Sequence, residues 1–359
     1  MFKLYKKYIF IKFFKKILLI SLIFFCLSLI LGVFEEISFF ADSGANMLLP
    51  YFLTLLNAPI TLFEIFPFIF LLSTQFFFYE IFKKDELLLF KNTGLSNLKL
   101  ISVILLASLF IGVILNTFYY NFSSKLKFFY TDFKNNYSDD NKYLAAVNDS
   151  GLWLKDEVEN QIMIIKAVSI NNEYLNDVII NVFDQDFNLL KTIQSKKINI
   201  DNNKWDIFKP IITINNVTTS FEKNVYLNTS FNQEKINNLF SNIMTLNIFE
   251  LIKLKSDYEK LGYSSDEIKL HLMKLISNPF FYSLMTVIAS IIMLNVNRNK
   301  SSFFYIIIGI LLSVIIYYLN YLIESLGNTG KLPVDVSVFT PIILLSIMAL
   351  IGLITVNEK

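Results

Sequence analysis

Apolar residues gather along this chain into six long runs, at residues 17–34, 60–82, 100–118, 280–296, 303–323 and 338–356, with one long polar segment between the third and the fourth. Each run holds about 17–23 residues and almost no charge, enough for a helix to cross a ~30 Å hydrocarbon layer. The pattern predicts an α-helical polytopic membrane protein of six transmembrane helices, three on each side of an inserted domain. Inside the insertion the period shortens. Residues 178–183 read as a strand, 184–188 as an Asn/Asp turn, and 198–208 as a hairpin around 201–204. Such short strands predict an all-β domain, a sandwich or jellyroll. From residue 246 a helical spacing returns at Leu251, Leu254, Tyr258 and Leu261. Gly262 ends that helix, and Ser264 to Glu267 cap a second over about 265–276 that leads into Asn278-Pro279 and the fourth run. The predicted division is 1–120 for the first membrane half, 121–245 for the β domain, 246–279 for a helical connector and 280–359 for the second membrane half.

Composition supports a membrane setting, with 54% hydrophobic, 16% aromatic and 17% charged residues. Placement of the basic residues sets an orientation. Lys3, Lys6, Lys7, Lys12, Lys15 and Lys16 precede the first run, Lys83, Lys84, Lys91 and Lys99 follow the second, and Arg298 and Lys300 follow the fourth. The alternate short loops hold only Lys331. Because basic short loops stay in the cytoplasm, both termini are expected there and residues 121–279 outside. The first run reads as a retained span, since no small-x-small cleavage pattern precedes Glu35-Glu36. Across 121–279, 18 Lys stand against 20 Asp plus Glu, which offers no basic stripe for nucleic acid.

Catalytic signatures are sparse. No G-x-x-x-x-G-K-[ST] loop is present, and Gly327-Asn328-Thr329-Gly330-Lys331 has the wrong spacing, so any ATP hydrolysis falls to a separate protein. His271, flanked by Lys269 and Lys274, reads as a residue on a solvated helix face, and the lone Cys26 cannot form a disulfide within the chain. Neither a metal nor a cofactor is implied. Polar residues inside the runs are costly and usually face a bundle interior or cavity, which singles out Glu64, Gln75, Asn116, Asn320 and Glu324. Glu64 and Glu324 lie near span ends, an interfacial position. Gln75 and Asn116 suit hydrogen bonds between helices or a transport path, and Tyr317 and Tyr318 suit cavity lining. The loop after the second run reads as a short amphipathic helix at about 84–96, with Asp85 and Glu86 in its first turn and Gly94 as its stop. Held on the cytoplasmic side, such a helix is a docking element for a soluble partner or, alternatively, a lipid-surface helix.

At this loop, Glu86-Leu87 followed by Gly94-x-Ser96 resembles the coupling segment of the LptF/LptG lipopolysaccharide-export permeases. Pro59, Pro67, the run Gly151 to Asp156, Leu261-Gly262-Tyr263-Ser264, Pro279, Leu332-Pro333 and Pro341 extend the resemblance over essentially the whole chain. The opening of the outer domain and Leu175-x-Asp177-Val178 resemble the LptG branch more than the LptF branch. The resemblance implies a non-enzymatic permease subunit of a Gram-negative inner membrane, paired with an LptF-like paralogue as a heterodimer. Two copies of an LptB-like ATPase would drive it, and lipopolysaccharide would pass to an LptC/LptA-like periplasmic bridge. Carried over, Glu86 would meet a basic residue of the ATPase, with Asp85, Leu87, Gly94 and Ser96 shaping the docking helix. Spans one and five would line the lipid path, with Tyr317, Tyr318, Asn320 and Gln75 towards it. LptG-type members carry lysines at the outer end of span one. This chain has Glu35-Glu36 there, which leaves phosphate contacts to the partner subunit or implies a less anionic head group. The alternatives are an LptF-type paralogue, a scaffold without transport, and a membrane enzyme built on Asp139, Asp140 and Glu157.

Overall fold

In the computed structural model the described residues are 2–41, 46–135, 152–158, 161–171, 173–214, 217–229, 231–233, 236, 242–260, 265–295 and 302–357. Gly151, Asp139, Asp140, Arg298, Lys300 and the stretch 261–264 lie outside them, as does the side chain of Glu157. Two compact units emerge. The first comprises Met1–Phe133, Ile243–Ile252 and Ser265–Lys359, and the second Lys134–Asn242 and Lys253–Ser264.

The first unit is helical. Its elements in chain order are α1 (Phe2–Phe40), α2 (Leu49–Glu64), α3 (Phe66–Lys83), α4 (Glu86–Asn92) and α5 (Asn97–Ile114), the last continued by a π turn (Leu115–Tyr119) into α6 (Tyr120–Asn135). After the strands come α7 (Ile248–Lys260), of which this unit holds only the part up to Ile252, then α8 (Asp266–Leu294), α9 (Ser302–Asn328) and α10 (Val334–Asn357). Among the described residues, five helices are long and apolar enough to cross a membrane, and α2 with α3 make a sixth if that bent pair is one span. The centre is α8, which packs against α3, α5, α9 and α10, whereas α1 packs on α2, α3 and α5. Burial follows this placement: 72% of α8's apolar window is inside the protein against 11% of α1's. The flank of α1 is thus left to lipid or to another chain.

Three sequence expectations change here. The second run is no single helix, because α2 and α3 meet at Ile65 with a bend of 70°. Pro67 sits in the first turn of α3 and has no N–H to offer Phe63, so the chain closes α2 with the short bond from Ile65 N to Leu62 O and starts again. The third helix does not stop near residue 118. It continues through the π turn to Asn135 on an amphipathic pattern, burying Tyr120, Ser123, Ser124 and Tyr130. The connector helix and the fourth run, expected as separate pieces, are one 29-residue helix, α8, with Pro279 inside it.

Pro279 survives there for a physical reason. Without its N–H the carbonyl of Leu275, four residues back, loses its helical partner, and Asn116 donates its side-chain amide to that carbonyl. A neighbouring helix thereby satisfies the group the proline left open, as apolar surroundings require. Asn116 is on the π turn, whose extra residue re-aims side chains.

The second unit is built on one antiparallel sheet among the described residues. Its strands are β1 (Leu152–Val158), β2 (Gln161–Asn171), β3 (Tyr174–Phe183), β4 (Leu189–Asn199), β5 (Lys204–Phe208), β6 (Ile211–Ile214), β7 (Val217–Ser220) and β8 (Val225–Asn228). The order is β1-β2-β3-β4-β5-β8, with β6 also on β4 and β7 on β6. Register aligns one apolar row, Leu154, Ile165, Ile180 and Ile193, across four strands, and all four side chains are buried. The expected hairpin forms, with Ile198 opposite Ile207. Asp184 makes the turn before β4 by accepting from the backbone N–H groups of Asp186 and Asn188.

Candidate functional site

The first unit contains a cavity of about 280 Å³. Its walls come from α1 (Phe24), the α2–α3 break (Glu64, Ile65, Phe68), α8 (Lys274, Phe281, Tyr282) and α9 (Val314, Tyr317, Asn320, Glu324). The break at Ile65 is what brings the α2–α3 corner to this space. Polar groups collect at the end nearest the start of α8 and the finish of α9, and aromatic and aliphatic groups form the rest. At the polar end Lys274 Nζ lies 2.8 Å from a Glu324 oxygen, and Asn320 donates to the other oxygen at 2.6 Å. Glu64 faces the same space. An apolar slot with one polar end suits an amphiphile, whose chains would otherwise cost ~0.8 kcal/mol per methylene exposed to water. It does not suit an ion pore, which needs polar lining along its length.

Among the residues expected on a lipid path, Tyr317 and Asn320 line this cavity. Tyr318 is exposed on α9 and absent from the cavity wall. Gln75 is fully buried elsewhere and donates to the Tyr305 carbonyl at 3.1 Å, clamping α3 to α9. Glu324, expected at an interface, is instead 15% exposed and paired inside the bundle. His271 corrects the sequence reading outright. Its ring is not on a solvated face: Nε2 is 2.9 Å from the Tyr120 hydroxyl, which gives its single proton to the Leu246 carbonyl at 3.1 Å, so His271 supplies the N–H. Missing from the sequence reading was Lys274 as the cation of this site; its partner Glu324 is 50 positions away, and no local pattern connects them.

At the C-terminal end of α1, Glu36 is buried and accepts a hydrogen bond of 2.7 Å from the Tyr130 hydroxyl. Lys127 lies 4.3 Å over the Tyr130 ring and donates to Asn57 at 2.7 Å. This acidic residue therefore faces inward, onto α6, while Glu35 is exposed.

The expected docking helix is α4, shorter than the 84–96 reading. Asp85 precedes it with φ +53°, and Gly94 follows with φ +79°. Leu95 N bonds Phe90 O and Gly94 N bonds Lys91 O, a Schellman end whose left-handed residue favours glycine. Ser96 then caps α5 by accepting from Lys99 N at 3.3 Å. Gly94 and Ser96 thus shape the corner rather than present chemistry. Leu88 and Leu89 are exposed, and Leu87 is half-buried. The Glu86 carboxylate points into the protein, accepting from Lys12 Nζ at 2.8 and 2.7 Å.

No individually curated protein matches the chain. The family described as lipopolysaccharide export system permease LptF/LptG matches residues 7–355, from the first helix through the sheet to the last helix. An amphipathic cavity among membrane-crossing helices, a short helix on the loop after α3 and a separate antiparallel sheet accompany a family match over nearly all of its length: this chain belongs to the LptF/LptG lipopolysaccharide export permeases.

Proposed function

We propose that this chain is the G-type permease subunit of an ABC-type exporter that draws lipopolysaccharide from the outer leaflet of the inner membrane. The cavity between α1 and α9 carries the reading, because its apolar walls and polar end match a lipid with acyl chains and a hydrophilic head. Three helices on each side of the sheet, with both termini cytoplasmic and the sheet periplasmic, agree with the lysine asymmetry. The weakly buried flank of α1 suits a paralogous subunit closing the lipid path from the other side, an F-type chain in this reading. The second unit, as a jellyroll, would receive the lipid and pass it to a periplasmic bridge.

The energy source in this reading is an ATPase docked on α4, with Leu88 and Leu89 as its contact face. A charged group there should break the contact: Leu89→Asp is expected to reduce ATPase co-purification at least about tenfold, the loss of a buried apolar anchor. Retention of the ATPase by that variant would remove α4 from the interface. The lipid path is tested by a photoreactive residue at Tyr317 or Tyr318. Lipopolysaccharide adducts are expected from 317 and much fewer from 318, and equal labelling would contradict the cavity as the path.

A further inference from the structure

Three charged side chains stand in the wall of the cavity, Glu64 from α2, Lys274 from α8 and Glu324 from α9. Glu324 is fully engaged, with one oxygen 2.8 Å from Lys274 Nζ and the other accepting from Asn320 at 2.6 Å. Glu64 is not. It is an exposed residue of the cavity wall and makes neither a hydrogen bond nor an ion pair among the described residues. The other cation that acts on it, Lys127, is absent from the wall and occupied with Asn57 and the Tyr130 ring. The cavity's own charges are thus two carboxylates against one ammonium, an excess of negative charge beside apolar walls. In the same wall Tyr282 is fully buried, and its hydroxyl has no partner among the described residues. Such a hydroxyl stays unsatisfied until an occupant brings it a donor or an acceptor.

We propose that the polar end of this cavity binds an ammonium group carried on the lipid's head, with Glu64 as the residue that selects it. The inference rests on the transport reading above and names the head-group chemistry which that reading leaves open. A carboxylate beside apolar walls is costly unless an opposite charge or hydrogen-bond donors meet it, and Lys274 is already committed to Glu324. A bare phosphate would add like charge to the excess and be disfavoured. A divalent metal fits poorly. With both Glu324 oxygens engaged, Glu64 alone falls far short of the roughly six oxygen ligands such an ion takes, and no group of three or more metal-ligating side chains occurs among the described residues. An ammonium asks for less, since it brings only N–H donors and a single positive charge. The acyl part of the same lipid would then lie against the apolar wall made by Phe68, Phe281 and Val314.

The test measures equilibrium binding of two lipopolysaccharides to the full complex in nanodiscs, in the presence of a chelator and again with magnesium. The two lipids share their acyl chains; one has free phosphates and the other has its phosphates esterified with ethanolamine. The unaltered complex should bind the ethanolamine form about tenfold more tightly, with or without magnesium. Glu64→Gln should cut that preference to less than about twofold, weakening the ethanolamine form while tightening the free-phosphate form as the like charge is removed. Glu64→Asp should keep the preference. A merely structural role for Glu64 would weaken both lipids alike in the Gln variant and leave their ratio unchanged, which would overturn the inference. Equal binding of the two lipids by the unaltered complex, or a preference that exists only with magnesium, would overturn it as well while leaving the transport reading intact. Binding of neither lipid would overturn the transport reading, and the inference with it.

Discussion

Asn116 and Pro279 are 163 positions apart in sequence, yet each accounts for the other. The proline leaves the Leu275 carbonyl open and the asparagine fills it. Asn116→Ala should therefore destabilise the protein by about 1–2 kcal/mol, the cost of an unmatched polar group in a helix bundle. In a Pro279→Ala background, where a backbone N–H is again available, the same substitution should cost about 1 kcal/mol less. Thermal unfolding of the four proteins in detergent measures that coupling, and additive losses would refute it. Gln75 and Gly309 make a second such pair. A Cβ at Gly309 would overlap the Gln75 amide, so Gly309→Ala should lose about 1–3 kcal/mol, and Gln75→Ala should recover part of it. Reading the sequence found Gln75 and Asn116 because buried amides stand out in apolar runs. Their partners are a backbone carbonyl and a glycine, which carry no signal of their own.

Elements were legible wherever a local rule sets them. The turn at Gly94 and the hairpin at residues 198–208 each follow from residues within a few positions, and the structure contains both. Gly94→Ala is expected to cost about 1–2 kcal/mol through its left-handed backbone, and Ser96→Ala about 1 kcal/mol through the lost cap. Neither should alter the ATPase contact face chemically, so both should weaken co-purification far less than Leu89→Asp does. Elements were illegible where a distant group overrides a local rule. A proline normally ends a helix, and on that rule α8 divides at residue 279; Asn116 cancels the rule from another helix. The opposite holds at Pro67, where the apolar run is unbroken by composition and only the missing N–H splits it into α2 and α3. His271 was misplaced for a related cause: two neighbouring lysines suggested a wet face, but Tyr120 waited on α6 to receive it.

Taken whole, the molecule places a buried, well-packed α8 at its centre and two sparsely buried helices, α1 and α9, along one cavity. One face of the antiparallel sheet is apolar and buried, with Val182 among its fully buried positions. The apolar runs and the sheet were readable from hydrophobic period alone, whereas the cavity was not, because it is assembled from seven helices that no window of sequence contains together. Its polar end sharpens the substrate question: Lys274 is already engaged by Glu324, so an anionic head group would find little uncompensated positive charge there. The central claim is that lipopolysaccharide enters by this cavity and leaves by the sheet under the drive of ATP. Photoreactive residues at Tyr317 and at Val182, in the reconstituted complex loaded with lipopolysaccharide, test it most directly. Adducts should form at 317 before ATP is added and at 182 only after it; adducts at neither position, or at 182 without any need for ATP, would contradict the account.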